Sequence, residues 1–200
     1  KEKDGRIVKN ELRPFIQDID ALPFPDWDIW DIEKYIETGG LIRNSLKLVA
    51  SRGCPHNCKF CTAPVIRSSI PGTYYRLHSP QRVIEQIEHL RKAYASKGLR
   101  YISFADPYFG ADWDHFSELM RLYREKGLSR TLPWIAETRP EIVTAEWAEH
   151  ASRSGCMVIS LGVESISDRL RTQLMGKHVR KEEIYAAIEN LERHTILYIL

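Results

Sequence analysis

From residue 46 onward, short apolar runs alternate with amphipathic stretches, and this alternation admits few folds. Residues 46–50 read as a strand. Residues 80–96 read as a helix, because Val83, Ile84, Ile87, Leu90 and Tyr94 recur on one face. Ser79 is the expected N-cap, and Pro80 falls in the first turn, where proline is tolerated. Residues 100–105 form the second expected strand. Trp113, Phe116, Met120 and Tyr123 mark a second helix and its core stripe, closed by Gly127. The third strand is expected over 132–136, with Pro133 keeping its start at an edge. Thr144 caps a third helix reaching Ser154, residues 157–163 read as a fourth strand, and residues 181–193 as a fourth helix. Thr195 opens a fifth strand. Repeated strand–helix units of this length predict an α/β fold with a parallel sheet and right-handed crossovers. Four units and a fifth strand fit a barrel-like (β/α) arrangement, in which chemistry gathers at the carboxyl ends of the strands.

The first strand runs into Gly53 and then Cys54-Pro-His-Asn-Cys58-Lys-Phe-Cys61, a C-x₃-C-x₂-C loop holding three of the chain's four cysteines. Three soft thiolates on one loop suit three irons of a [4Fe–4S] cube and leave the fourth iron open to a substrate or cofactor. A closed zinc site usually draws on two separated ligand pairs, and no second pair is present. His56 reaches such a site only by doubling back, and Cys156 lies in an apolar run that reads as a buried strand. Further polar landmarks fall at strand ends: Asp106 after the second, Glu137 and Arg139 after the third, Glu164 and Ser165 after the fourth.

Residues 1–45 are irregular. Prolines flank Phe24 in Leu22-Pro-Phe-Pro-Asp-Trp27, a short helix is expected to begin at 31–35, and Gly39-Gly40 is expected to stop it. Phe24, Trp27 and Trp30 are expected to pack onto the following domain. The balance of 29 Lys+Arg against 27 Asp+Glu gives no bulk charge to attract nucleic acid or an acidic membrane. No apolar run approaches the roughly 20 residues of a membrane span. Clustered cysteines without a secretory pattern suggest a reducing, cytoplasmic setting. The opening at Lys1 and the unfinished apolar run at 195–200 suggest part of a larger protein.

The cysteine loop after a first strand, with Phe60 in the aromatic slot, resembles the signature of radical S-adenosylmethionine (SAM) enzymes over roughly residues 46–200. The resemblance implies a partial (β/α)₆ TIM-like barrel, here truncated within the fifth strand. It implies a [4Fe–4S] cluster on Cys54, Cys58 and Cys61, with SAM bound to the open iron through its amino and carboxylate groups. Reductive cleavage then yields a 5′-deoxyadenosyl radical. By the same resemblance Asp106 faces the SAM ammonium, although Pro107 stands where a second acid is common. Arg139 serves the SAM carboxylate, Glu164 and Ser165 lie near its amino acid or ribose, and Phe60 lies near the adenine. Plainer roles stay open: a turn at Asp106-Pro107, an Arg139–Glu164 ion pair, packing or capping by Arg76 and His78, and a solvated loop over 177–181.

Asp18-x-Asp20-x-Leu22-Pro-Phe-Pro-Asp-Trp27 and Met175-Gly-Lys177 resemble the cobalamin-binding radical SAM subgroup. That likeness implies a cobalamin domain upstream, with residues 1–45 as the lead-in and 46–200 as the radical SAM core. It also implies methyl transfer or a related radical reaction on a small or lipid-like metabolite, with electrons from a flavodoxin- or ferredoxin-type donor. Two alternatives differ in class: a radical SAM methylthiotransferase or tRNA-modifying enzyme, and a non-enzymatic zinc-binding module.

Overall fold

The computed structural model describes residues 5–38 and 42–200. In chain order the elements are α1 (Ile32–Thr38), β1 (Ser45–Leu48), β2 (Ser51–Arg52), α2 (Ala63–Ser69), β3 (Arg76–Leu77) and α3 (Pro80–Tyr94). Then come β4 (Tyr101–Phe104), α4 (Trp113–Glu125), α5 (Leu128–Thr131), β5 (Trp134–Thr138), α6 (Ala145–Arg153), β6 (Cys156–Leu161), α7 (Lys181–Arg193) and β7 (Leu197–Ile199). The main sheet runs β1-β4-β5-β6-β7 with every pairing parallel, and β2 pairs antiparallel with β3 in a small hairpin. A helix-bearing crossover between neighbours gives the strands one direction, so all their carboxyl ends meet on one rim. This is the α/β, barrel-like architecture that the alternation predicted.

The helices form where the apolar period predicted them. Ser79 accepts a hydrogen bond from the Arg82 N–H and Thr144 from the Trp147 N–H, each side chain pairing one orphan donor of its helix. Phe116, Met120 and Tyr123 turn α4 onto the sheet, but Trp113 stands partly exposed against His150. The core contains an aromatic column: Phe104 stacks on Phe109 at 4.2 Å and Phe116 on Trp147 at 4.7 Å, with Trp134 edge-on to Phe104. Cys156 is buried at the start of β6, remote in sequence from the cysteine loop, and burial pushes its thiol well above the ordinary value.

Three differences from the sequence reading appear, the first two with physical causes. The third strand lies two residues later than expected. The Leu132 N–H closes the α5 turn on the Leu128 carbonyl and Pro133 has no N–H, so the regular strand begins at Trp134. Glu137 is thereby inside the strand, and Arg139 is the first residue after it. Helix α2, directly after the cysteine loop, carries too little apolar period to be seen in sequence. Trp30 is 65% exposed instead of packed, whereas Phe24 and Trp27 do lie against the domain. The expected stop at Gly39-Gly40 lies outside the described residues.

The lead-in is fastened at named points. Asp20 accepts from the Ser79 N–H and sits 2.8 Å from His78 Nδ1, Arg82 stacks on Phe24 at 3.7 Å, and Arg76 donates to the Ile16 carbonyl. His78 and Arg76 are therefore anchors of the lead-in. Between the lead-in and β1 lies a cavity of about 300 Å³ with Leu22, Phe24, Trp27 and Leu48 in its wall. Among the described residues no helix is long and apolar enough to cross a membrane.

Candidate active site

The rim formed by the strand ends opens into a cleft of about 1080 Å³. Cys54, Cys58 and Cys61 form one part of its wall, and Glu137 and Arg139, Glu164 and Ser165, and Lys177 are its other main polar groups. The loop takes this path because Gly53 has φ +84° and a β-carbon there would lie 2.3 Å from the Tyr74 carbonyl oxygen. Gly53 thus lets the chain pass against the segment before β3 and present the cysteines upward. Phe60 is 57% exposed and faces the same cleft.

Each cysteine has a distinct setting. Cys58 is buried, Cys54 half-buried and Cys61 exposed. The Ala63 N–H donates to Cys61 Sγ at 3.4 Å, and Arg139 Nη1 donates to Cys58 Sγ at 3.4 Å. Burial is the main force raising the Cys54 thiol above its ordinary value, opposed by the His56 backbone N–H and Arg139. Among the described residues, no three His, Cys, Asp or Glu side chains converge as ligands of a single ion. A cube needs no such convergence, since three of its irons take one thiolate each. Three thiols on one cleft wall, two of them already receiving N–H donors, fit that group.

Asp106 is placed otherwise. It is 1% exposed and absent from the cleft wall; its carboxylate accepts from the Ala50 N–H at 3.0 Å and from the Ser51 hydroxyl. Burial raises its pKa, and the Ser51 and Ala50 hydrogen bonds oppose the rise. The carboxylate ties the end of β4 to the stretch just before the cysteine loop. Arg139 does not pair with Glu164. Its Nε donates to Glu141, whose other oxygen is buried without a partner, and its guanidinium lies 5.8 Å from the Tyr108 ring. Glu164 instead meets Lys177 Nζ at 3.1 Å. Its φ of 62° is left-handed, uncommon outside glycine and often found at functional sites.

Lys177 corrects the solvated-loop reading, being 4% exposed and part of the cleft wall. Two contacts hold its loop on the cysteine loop: the Lys59 N–H donates to the Met175 carbonyl at 2.8 Å, and Lys59 Nζ to the Gln173 carbonyl at 2.9 Å. Arg171 is fully buried beneath, donating to the carbonyls of Val179 and Ser165 and pairing with Asp168. The Met-Gly-Lys run after Glu164-Ser165 was the one sequence signal for Lys177. Nothing in the pattern pointed to Glu141, Tyr108 or Arg171.

A parallel α/β barrel-like sheet with a three-cysteine loop on its carboxyl rim defines a class of metallocofactor domain. The family model of the Radical SAM superfamily matches residues 48–198, and the chain belongs to that family. The family brings with it a [4Fe–4S] cluster and SAM as cofactors. An uncharacterized methyltransferase of Pyrococcus horikoshii is 28% identical over 96% of this chain and 39% of its own length. Bacteriochlorophyllide d C-12(1)-methyltransferase of Chlorobaculum tepidum is 29% identical over 76% of the chain and 31% of its own. The chain thus spans well under half of these relatives. The solved structure of OxsB, a cobalamin-dependent SAM radical enzyme with aqua-cobalamin and SAM bound, superimposes with a TM-score of 0.77. That match has 19% identity and covers 98% of this chain and 28% of the other, so it speaks to the fold.

Proposed function

We propose that this chain is the radical-generating domain of a cobalamin-associated, methyltransferase-like radical SAM enzyme. The observation that carries the reading is the cleft itself: three cysteines of one loop share its wall with Glu137, Arg139, Glu164 and Lys177. When bound, a [4Fe–4S] cluster with SAM on its open iron supplies one-electron cleavage of SAM to a 5′-deoxyadenosyl radical. Cys54, Cys58 and Cys61 would hold three of the irons. Lys177 and Glu164, paired with each other at 3.1 Å, and the Glu137 carboxylate give the cleft groups that suit the carboxylate and the ammonium of SAM. This assignment moves the ammonium contact away from Asp106, whose two oxygens are engaged elsewhere. Phe60 offers an exposed ring for stacking on a base. The cleft walls orient these groups.

The methyltransferase part rests on the names of the relatives, and the cobalamin part on OxsB and on the lead-in pattern. A small or lipid-like metabolite as substrate, a flavodoxin- or ferredoxin-type reductant and a cytoplasmic setting belong to the same proposal. So does the division at residue 45 between a lead-in and the core. Metal analysis of anaerobically purified protein tests the reading. Iron with acid-labile sulfide is the expected result; one zinc per chain without sulfide would overturn it in favour of a zinc module.

A further inference from the structure

We infer that Arg139 is a positioning residue that sets the reduction potential of the cluster by donating from its guanidinium to the Cys58 sulfur. The inference rests on the proposal that Cys54, Cys58 and Cys61 hold that cluster. It gives Arg139 a role different from the SAM-carboxylate contact implied by family resemblance.

The geometry commits the arginine to the protein. Arg139 follows β5 directly and is 6% exposed. On one side Nε donates to Glu141 Oε1, while on the other Nη1 reaches Cys58 Sγ at 3.4 Å. The Tyr108 ring lies against the guanidinium at 5.8 Å, and His56 packs edge-on to that ring at 4.6 Å. Two further polar atoms around this fork are buried without hydrogen-bond partners, His56 Nε2 and Glu141 Oε2. His56 Nε2 stands 4.0 Å from Glu141 Oε1, too far for a hydrogen bond, so among the described residues Arg139 is the side chain that hydrogen-bonds this carboxylate.

A fixed guanidinium with one arm on a ligand sulfur acts on charge. Reduction adds one electron to the cluster, supplied by a one-electron donor, with no bond made or broken at Arg139. The added negative charge spreads onto the ligand sulfurs, where an N–H donor and a positive charge stabilise it. Hydrogen bonds to the sulfurs and net charge are among the factors that set such potentials. Arg139 therefore raises the midpoint potential, and Glu141 keeps it aimed.

The test is a redox titration of the anaerobically reconstituted protein, followed by electron paramagnetic resonance of the reduced cluster, for wild type, Arg139→Gln and Arg139→Lys. Arg139→Gln is expected to retain iron and sulfide while its reduction equilibrium shifts about tenfold toward the oxidised form, about 59 mV more negative for a one-electron couple. Arg139→Lys keeps the charge without the anchored fork, and its potential is expected to lie between the other two. Equal potentials in all three proteins overturn the inference while leaving the cluster proposal intact. If Arg139→Gln does not retain iron, Arg139→Lys decides: a more negative potential supports the role and an unchanged one overturns it. Wild-type protein that takes up no iron and sulfide overturns the cluster proposal itself.

Discussion

A carboxylate almost without solvent contact is expensive unless it holds something in place, and Asp106 holds the approach to the cysteine loop. Removing it in Asp106→Ala leaves the Ala50 N–H and the Ser51 hydroxyl unpaired. The expected cost is about 1–3 kcal/mol, read from chemical denaturation. Its pH behaviour has a definite sign. Because the native pKa is raised above the ordinary value of 3.8, the native state keeps its proton to higher pH than the unfolded chain. The contribution is present in full below 3.8 and is lost as pH rises through the native pKa. Asp106→Asn is expected to flatten that decline in stability–pH curves; an unchanged slope would show that another group causes it. Sequence alone placed Asp106 at a strand end but left open which way its carboxylate points. That direction depends on Ser51, 55 residues away along the chain.

Elements meet at a few tight points, and Gly53 is one that the chemistry depends on. A β-carbon there would lie 2.3 Å from the Tyr74 carbonyl oxygen and would sit on a backbone with φ +84°. Gly53→Ala is expected to cost about 1–3 kcal/mol and to lower iron retention, because the loop must move away from the β3 side. Normal iron content and stability would contradict this. The lead-in is held through Asp20, which bonds His78 and the Ser79 N–H at the start of α3. Asp20→Ala is expected to loosen residues 16–24, seen as faster amide exchange there with unchanged protection in the sheet. The periodic helices and the order of strands were legible in the sequence, because each buries one face on the sheet. Helix α2 and the Lys177 loop were not, because contacts with the cysteine loop shape them, through Arg67 on Pro55 and Lys59 on Gln173 and Met175, and no periodicity of their own does.

At the scale of the whole molecule, the parallel sheet explains why groups from distant parts of the sequence share one cleft. The cysteine loop, the end of β5 and the segment after β6 all leave the sheet at the same rim. That the three cysteines share one loop could be read from spacing alone, and the fold puts them on one cleft wall. Glu141, Tyr108 and Arg171 could not, since their roles exist only through contacts made by folding. The central claim is that this cleft turns a cluster and SAM into a radical source. The most direct measurement is the product of the anaerobically reconstituted full-length protein after addition of SAM and a one-electron reductant. Formation of 5′-deoxyadenosine that disappears in Cys58→Ala is the predicted result. Wild-type protein that holds iron and sulfide yet leaves SAM uncleaved under the same reductant would contradict the account.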